Sequence, residues 1–403
     1  MSAPHRTTVR RLLVGTVALT ATSSLLAACS SSVGESSSTP AGTNTAAAAE
    51  ADGPLDLADI CPATVVMQQD WQPEAEHGAM YNLMGDDYTF DTDTKTMTGS
   101  LVVDGTDTGV DLELRPGGPN VNYQPVPALM YLDTDIFFGA VNTDQAIVSY
   151  ADQPTVAVTS QMTWSPQILM WDPDSHPGAT TIADATADGA VVVTSGDIIP
   201  NLLLSQGIID ESQIDTSYEG TPQRFVSDPT ILQQGFATAE PYIYENEISE
   251  WGKPVSYQLL SELGYNIYPE PLAVRPDTIE EYGDCLEKLV PIMQQSQIDY
   301  LADPTRANEL IVEAVEEYNT GWTYSAGVAD FSVQQQNDLG IVTDDPSTGA
   351  FGAFDPDRMQ SILDDFTPFL VQAGSISQAD ADAVEVEDLY TNDYIDTSIS
   401  IGG

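Results

Sequence analysis

Short apolar runs alternate with helical patterns along most of this chain. Runs rich in β-branched and aromatic residues, each bounded by turn residues, predict strands at residues 63–67, 109–114, 136–140, 155–159 and 190–194. Apolar spacings of three and four residues predict helices at residues 74–83, 126–132, 143–150, 197–205, 229–236 and 256–263. Further helices are predicted at residues 278–296, 304–318, 328–339, 355–373 and 378–382. Strand and helix in alternation favour an α/β fold with largely parallel sheets.

Two features modify this pattern. Residues 86–105 alternate threonine with other residues between turn signals, which predicts a β-hairpin inserted on the surface, without a functional role. The folded part, from about residue 55 to the end, is longer than one hydrophobic core usually accommodates. We therefore expect two lobes.

The N-terminus has the features of a bacterial lipoprotein signal. Arg6, Arg10 and Arg11 precede an apolar run over residues 12–28 that ends Leu-Ala-Ala before Cys29. Basic residues, a short apolar segment and small residues before a cleavage point define a secretory signal, and the cysteine adds a lipid anchor. The alternative is a plain signal peptide with an incidental cysteine. We expect residues 1–28 to be the signal peptide and residues 29–54, rich in Ser, Thr, Ala and Gly, to be a disordered spacer.

The chain is strongly acidic, with 11 Lys and Arg, 62 Asp and Glu and a net charge of −51. Removal of residues 1–28 leaves eight Lys and Arg, and the net charge becomes −54. Such a surface repels nucleic acid and anionic lipid, so we expect no nucleic-acid partner. It also disfavours an anionic ligand, although Arg115, Arg224 or Arg275 could neutralise one locally. The simplest interpretation of the acidity itself is solubility in a salty exterior.

The remaining cysteines, Cys61 and Cys285, form an even pair in a chain predicted to be exported, so we expect a disulfide between them. The mature chain has two histidines, His77 and His176, and no close pairing of His or Cys. We therefore predict neither a metal site nor a cofactor.

The loops that follow the predicted strands carry an ordered set of motifs. Residues 68–81 read QQDWQPEAEHGAMY, and residues 115–120 read RPGGPN. Further segments follow in order at residues 142–144, 160–170, 234–245, 263–274 and 388–395. Together they resemble exported ABC-transporter binding proteins of the thiamine-pyrimidine-precursor branch, within the nitrate-, sulfonate- and taurine-binding group. The resemblance spans residues 63–395.

This resemblance implies a periplasmic-binding-protein-like clamshell of type II, in which each lobe is a mainly parallel sheet flanked by helices. The chain would cross between lobes near residues 158–162 and 265–272. Lobe one would then comprise residues 55–158 with 273–403, and lobe two residues 159–272. The implied partners are a small-molecule ligand and an ABC permease with its ATPase. We expect a monomer held by its lipid at the extracytoplasmic face of the cell membrane.

Several residues of the predicted cleft suggest a ligand chemistry. Trp71 and Tyr81 have flat rings that can sandwich a heteroaromatic ring, or they pack in the core. Gly117 and Gly118 either present backbone N–H groups to a ligand or form a tight turn. Glu240 can accept hydrogen bonds from an aminopyrimidine, or it is a solvated glutamate.

Other candidates follow from the same motifs. His77 either donates to a ligand oxygen or caps its own helix. Thr194 and Ser195 precede a predicted helix and can present its N-terminal N–H groups. Trp164 and Tyr242 either line the cleft or pack within a lobe. The remaining candidate ligand-binding residues are Pro119, Asn120, Asp144 and Gln161.

The predicted function is a solute receptor for import that binds a small heteroaromatic, pyrimidine-like molecule. A riboflavin-like molecule, nitrate or a sulfonate is an alternative ligand. A pyrimidine-precursor synthase of the same fold family is an alternative enzyme, but its cysteine-rich motif is missing and no nucleophile has a neighbouring base. We therefore predict a binding protein rather than an enzyme. A sensory or scaffold lipoprotein is a further alternative.

Overall fold

The computed structural model describes residues 49–50, 53, 55–196 and 198–402. The predicted signal peptide, Cys29 and most of the predicted spacer lie outside the described residues. In chain order the strands are β1 (Ala49–Glu50), β2 (Thr64–Gln68), β3 (Thr89–Asp91), β4 (Thr96–Val103), β5 (Thr106–Arg115), β6 (Ile136–Ala140), β7 (Val156–Thr159), β8 (Gln167–Trp171), β9 (Val192–Val193), β10 (Ile214–Asp215), β11 (Leu232–Phe236), β12 (Ser256–Leu259) and β13 (Leu272–Val274).

Helices surround these strands, and long helices dominate the part of the chain after residue 275. The α-helices are α1 (Gly78–Asn82), α2 (Val126–Leu132), α3 (Thr143–Ser149), α4 (Ile182–Thr186), α5 (Ile198–Ser205), α6 (Gln223–Ser227), α7 (Glu240–Asn246), α8 (Pro276–Ala302), α9 (Thr305–Tyr318), α10 (Ala326–Asp338), α11 (Pro356–Ala373) and α12 (Gln378–Ala381). Short 3₁₀ turns occur at Ala75–His77, Gly118–Val121, Glu211–Gln213, Leu260–Leu263 and Val386–Asp388.

The strands form two sheets. The first has the order β3-β4-β5-β2-β6-β13-β7, with β1 paired to β5, and the second has the order β10-β9-β11-β8-β12. Strands β1, β5, β2 and β6 pair in parallel, as do β9, β10 and β11, whereas the other pairs are antiparallel. The sheets are therefore mixed rather than mainly parallel. One reason is that β13 inserts between β6 and β7 in the opposite direction.

The chain connects the two sheets twice. It leaves the first sheet after Thr159, forms β8 to β12 of the second sheet, and re-enters the first sheet at Leu272. Residues 160–166 and 260–271 are therefore the two connections between sheets. The exact division into lobes at residues 158–159 and 272–273 remains our proposal.

Two predicted helices are wrong. Residues 232–236, within the predicted helix 229–236, form the central strand β11, and residues 256–259 form β12 before a 3₁₀ turn. Leucine and glutamine favour a helix locally, but pairing with β8 on one side and β9 on the other overrides this preference for β11. Gln233 Nε2 donates to the Tyr244 hydroxyl at 2.9 Å, whereas the buried Gln233 Oε1 has no partner. Strands β8 and β13 were not predicted.

The predicted hairpin is present as β3 and β4, but it is not a surface insertion. Strand β4 pairs antiparallel with β5 and so extends the first sheet. Met97 and Leu101 of β4 are fully buried in the same apolar core as β2. The period-two pattern therefore predicted the strands correctly. The expectation of a surface position was wrong, because one face of β4 is buried in the core.

The apolar cores lie on both faces of the first sheet. Val65 and Met67 of β2 face a core completed by α1, α8, α9 and α10, while Val66 points to the opposite face. On that opposite face α11 packs against α3 and α5, so one core continues from the first sheet to elements of the second. The predicted Cys61–Cys285 disulfide is present and joins the start of β2 to α8, with Cα atoms 4.9 Å apart.

We expect removal of this disulfide to destabilise the chain strongly. The bridged residues are 224 positions apart, and closing so long a loop in the unfolded state contributes about 5 kcal/mol in the chain-entropy model, with measured values often lower. The double variant Cys61→Ser with Cys285→Ser should lower the free energy of unfolding in urea by about 3 to 5 kcal/mol. Cys29→Ser is the control, since it removes a thiol outside this bridge. An unchanged free energy of unfolding in the double variant would contradict the expectation.

Candidate functional site

Polar residues converge where strands of the first sheet end and where the chain connects the two sheets. Residues 69–77 follow β2, and Asn142 follows β6. Gln161 lies in the first connection and Glu270 in the second. Carboxyl ends of strands and the adjoining crevice are the usual ligand position in open α/β sheets, so this region is the candidate site.

His77 is the centre of the site. Its side chain is buried, and its Nε2 lies 3.2 Å from Asp70 Oδ1 and 3.2 Å from Glu270 Oε2. Burial alone would lower the pKa of His77, but the hydrogen bonds and charges of the two carboxylates raise this pKa well above its usual value. A cation is therefore stabilised at this position, whether a proton on the imidazole or another positive group.

Glu270 is held in an unusual backbone conformation. Its φ is +52°, in the left-handed region that residues other than glycine rarely adopt, and its side chain is buried. The Glu270 N–H donates to Asn142 Oδ1 at 3.1 Å, and Asn142 Nδ2 lies 3.5 Å from Asp70 Oδ2. Strain of this kind persists where surrounding contacts enforce it and is common at functional sites. Here it places a carboxylate against His77.

Two more buried carboxylates follow from the PEAEH segment, and we call Asp70, Glu74, Glu76 and Glu270 the acidic cluster. Glu76 Oε1 accepts from the Ser332 hydroxyl at 3.1 Å, whereas its Oε2 has no partner. Burial, followed by the charge of Glu76, raises the pKa of Glu74 well above its usual value. Burial and the charge of Asp70 raise the pKa of Glu270 to about 7. The cluster thus places four carboxyl groups, two of them with raised pKa values, beside a single histidine.

A cavity of about 10 Å³ lies within the cluster, lined by Glu76, His77, Ala79, Met80, Gln161, Met162 and Glu270. Gln161 is 4% exposed, and neither its Oε1 nor its Nε2 has a hydrogen-bond partner. A buried amide without partners is costly, by about 1 to 3 kcal/mol for each group. The cavity has room for a single water or ion but not for an aromatic ring.

Within the described residues, no lysine or arginine forms an ion pair with the acidic cluster. Arg115 pairs with Glu113 and Asp133. Arg224 and Arg275 pair with nearby aspartates, so the three arginines named from the sequence as possible anion partners are already neutralised elsewhere. The electrostatics of the site therefore favour a positively charged group.

Glu240 is a candidate carboxylate next to the second sheet. It begins α7, just after β11, and its Oε2 accepts from the Phe236 N–H at 2.6 Å. The Tyr218 hydroxyl donates to Oε1 at 3.4 Å. Burial raises the pKa of Glu240 to about 7, and the charge of Glu76 adds to the shift. Burial therefore favours the protonated form of this carboxyl group.

Trp71 lies at the edge of this region rather than in the cavity. A Cβ on Gly118 would come within 2.7 Å of its ring, and a Cβ on Gly220 within 2.9 Å. Tyr123 and Trp322 flank it at centroid distances of 6.0 and 6.4 Å. Gly220 belongs to the second-sheet region, so the indole is already covered from both parts of the fold. A stacked ligand would have to displace one of these neighbours.

Core packing for Tyr81 and a tight turn for Gly117 and Gly118 were the alternatives considered from the sequence, and the contacts of these residues are of that kind. Tyr81 is 1% exposed and packs in the first-sheet core, with its hydroxyl 3.5 Å from Gln69 Oε1. The Gly117 N–H donates to Trp71 O at 2.6 Å and the Gly118 N–H to Asp70 O at 3.0 Å. These N–H groups close a tight turn instead of facing a ligand. Their contribution is to hold the Asp70–Trp71 loop in place.

Three further candidates support the surrounding structure. Asn120 Nδ2 donates to Gln72 Oε1 at 3.2 Å, and Pro119 is exposed. Asp144 is buried and accepts from the Tyr265 hydroxyl at 2.7 Å, and burial raises its pKa. None of the three lines the cavity beside His77.

The second-sheet candidates are also separate from that cavity. The Thr194 hydroxyl donates to Gly196 O at 2.8 Å, and the Ser195 N–H donates to Gln234 Oε1 at 2.8 Å. Trp164 lies under the Arg358 guanidinium at 4.0 Å and lines a different cavity of about 240 Å³. Tyr242 packs against Phe331 of α10 with centroids 5.5 Å apart. Of the predicted set, the structure places His77 and Gln161 at the cavity.

Sequence reasoning missed all four residues of the acidic cluster, and Asn142 as well. These residues lie within the motifs given above but are not among the predicted site residues. A usable signal was present, because PEAEH places two glutamates within three residues of His77. Close pairings of His and Cys do not indicate a site in which carboxylates supply most of the ligand atoms.

No family model matches the chain, and no curated protein matches it either. Among solved structures, a protein from Bordetella bronchiseptica RB50 is similar with a TM-score of 0.51 and 12% identity, over 83% of this chain and 96% of that one. The periplasmic aliphatic sulphonate binding protein SsuA from Escherichia coli has a TM-score of 0.48 and 10% identity, over 78% and 88%. An ABC transporter protein from Parabacteroides distasonis has a TM-score of 0.45 and 9% identity, over 80% and 95%.

The similarity to the Bordetella bronchiseptica protein bears on the fold alone. Together with the two helix-flanked sheets, it confirms the predicted α/β fold class. At such low identity the ligand of a neighbour says nothing about the ligand of this chain. Across residues 55–196 and 198–402, no helix combines the length and the hydropathy that a membrane span requires.

The raised pKa of Glu240 predicts a pH-dependent contribution to stability. Between its ordinary pKa and about 7, the folded chain holds a proton that the unfolded chain has lost, so stability falls as pH rises through this window. Glu240→Gln is neutral throughout and lacks this loss. Its Tm relative to the wild type should therefore increase from pH 5 to pH 8. Glu245→Gln, an exposed residue of the same helix, is the control, and a Tm difference for Glu240→Gln that does not change with pH would contradict the assignment.

Proposed function

We propose that this protein is the extracytoplasmic solute-binding lipoprotein of an ABC importer. Its ligand is a small heteroaromatic molecule that carries amino groups, of the aminopyrimidine class, bound between the two sheets and delivered to a permease and its ATPase. The predicted lipid on Cys29 keeps the receptor at the membrane. The observation that carries the ligand class is the acidic cluster around His77, to which no lysine or arginine of the described residues is paired. Glu240 adds a further carboxylate with a raised pKa.

The charge of the site supports this ligand class over the alternatives. Nitrate or a sulfonate would approach several buried carboxylates to which no lysine or arginine of the described residues is paired. Burying a further negative charge there costs far more than an exposed ion contact. An aminopyrimidine instead offers an exocyclic amine and a ring nitrogen that accepts a proton. A carboxylate such as Glu240 can accept from both in a charge-assisted pair.

Binding of a ring requires the cleft to open. The cavity of about 10 Å³ is far too small for a pyrimidine, and Gly220 covers the Trp71 ring. Separation of the two sheets about the connections at residues 160–166 and 260–271 would uncover both Trp71 and the cluster. Hinge motion of this kind is a common response of two-part binding proteins to ligand.

Binding, rather than catalysis, also fits the side chains present. In the described residues both cysteines are joined in the disulfide, so neither is a nucleophile. His77 is held between two carboxylates that stabilise its charged form, and this makes it a poor general base.

A thermal-shift screen of the full chain tests the ligand class. Hydroxymethylpyrimidine and related aminopyrimidines should raise the Tm, whereas nitrate and taurine should not. Ligand at 100 times its Kd adds about 2.7 kcal/mol to the free energy of unfolding, which is readily seen as a Tm increase. Riboflavin is included to test larger rings. Stabilisation by an anion alone would refute the proposal.

Calorimetric titration of variants with the same aminopyrimidines tests whether Glu240 is the carboxylate that binds the amine. Glu240→Gln should weaken aminopyrimidine binding by about tenfold or more, because the charge-assisted pair is lost. Glu245→Gln should bind as the wild type does. Equal affinities for the wild type and Glu240→Gln, measured by calorimetry, would remove Glu240 from the site.

A further inference from the structure

The acidic cluster contains three ligand atoms in an arrangement that the organic ligand does not explain. One ligand atom from each of Asp70, His77 and Glu270 lies within 4.8 Å of the other two. His77 Nε2 is 3.2 Å from Asp70 Oδ1 and 3.2 Å from Glu270 Oε2. Ligand atoms bound to one tetrahedral Zn²⁺ at their usual bond lengths are roughly 3.3 to 3.5 Å apart. Small adjustments of these side chains would therefore place all three on one ion.

Gln161 is a second observation that points to an occupant. It lines the same cavity from the first connection between sheets, is 4% exposed, and leaves both its amide oxygen and its amide nitrogen without a partner. An amide oxygen is a suitable metal ligand, or a partner for a metal-bound water. The cavity of about 10 Å³ also matches one ion rather than a ring.

The charge balance favours a doubly charged ion. Asp70 and Glu270 contact His77 directly, Glu76 has a buried oxygen without a partner, and no lysine or arginine of the described residues is paired with them. A single proton on the imidazole contributes one positive charge against these carboxylates. A divalent ion contributes two and can bind the neutral imidazole and both carboxylates at once.

We infer that Asp70, His77 and Glu270 bind a divalent first-row transition-metal ion of the Zn²⁺ or Mn²⁺ class, with Gln161 beside it in the cavity. One imidazole with two carboxylates suits these ions. Mg²⁺ and Ca²⁺ prefer sets composed of oxygen ligands alone. The alternative is an ion triad in which a protonated His77 bridges two carboxylates and no metal binds.

The inference goes beyond the proposed function, and the two fail separately. Metal binding is measured with Zn²⁺ or Mn²⁺ alone, without a pyrimidine. Pyrimidine binding is measured with EDTA present. Failure of metal binding leaves pyrimidine binding intact, and failure of pyrimidine binding leaves metal binding intact. If the metal itself holds the pyrimidine, EDTA removes both the metal and the pyrimidine.

The test is a calorimetric titration of the full chain, without a polyhistidine tag, by ZnCl₂ and by MnCl₂. Excess Mg²⁺ is present to occupy the many exposed carboxylates. One equivalent of Zn²⁺ or Mn²⁺ should bind tightly to the wild type. The variants His77→Gln and Glu270→Gln should weaken that binding by at least about 10- to 100-fold, as loss of a ligand or its support does in metal sites.

His176→Gln is the matched control, because His176 contacts Thr230 O and lies away from the cluster. It should bind metal as the wild type does. X-ray absorption of the wild type with one equivalent of Zn²⁺ is a second readout that does not depend on a variant folding, and it should show one imidazole with oxygen ligands at about 2.0 to 2.2 Å.

The inference is overturned if the wild type does not bind one equivalent of Zn²⁺ or Mn²⁺ tightly. It is also overturned if His77→Gln binds the metal as tightly as the wild type, or if the X-ray absorption spectrum shows no imidazole ligand. Each of these results would leave the protonated ion triad as the role of these side chains.

Discussion

The rest of the site depends on one constraint, the burial of several carboxylates around a single histidine. Removing a carboxylate from water is expensive unless a partner compensates for the lost hydration. Here Asp70 and Glu270 share His77, and the burial of Glu74 and Glu270 favours their protonated forms. The left-handed backbone of Glu270 and its bond to Asn142 are the structural cost of this arrangement. A site of this kind is prepared for positive charge.

The two connections between sheets give the cluster its geometry, and α11 holds them together. The Arg358 guanidinium lies over the rings of Trp164 and Tyr268, one from each connection, at 4.0 and 3.7 Å. It also donates to Ile267 O at 2.8 Å. Arginine is suited to this role because its planar group can stack and donate at the same time. Gln161 and Glu270, carried by the same two connections, are thereby held on opposite sides of one cavity.

The carboxylates of the chain lie in two different environments in the folded protein. Most of its carboxylates face solvent, where salt screens their repulsion and they favour solubility. A few are withdrawn from water next to His77 and Glu240, where each charge strongly affects its neighbours. Four arginines of the described residues pair with carboxylates outside the acidic cluster, namely Arg115, Arg224, Arg275 and Arg306. Composition therefore disfavoured an anionic ligand, and the buried cluster strengthens that view.

The sequence by itself determined the α/β class, most helices and first-sheet strands, and the Cys61–Cys285 pair. It also indicated His77, Gln161 and Glu240 as candidate site residues. These depend on local periodicity, on residue counts and on short motifs. It did not determine β11, whose leucine and glutamines favour a helix until neighbouring strands pair with them on both sides. Nor did it bring Glu270 to His77, almost 200 residues earlier in the chain. Only tertiary structure decides which distant carboxylates share a buried space, because their energies depend on burial and on separations of a few ångströms.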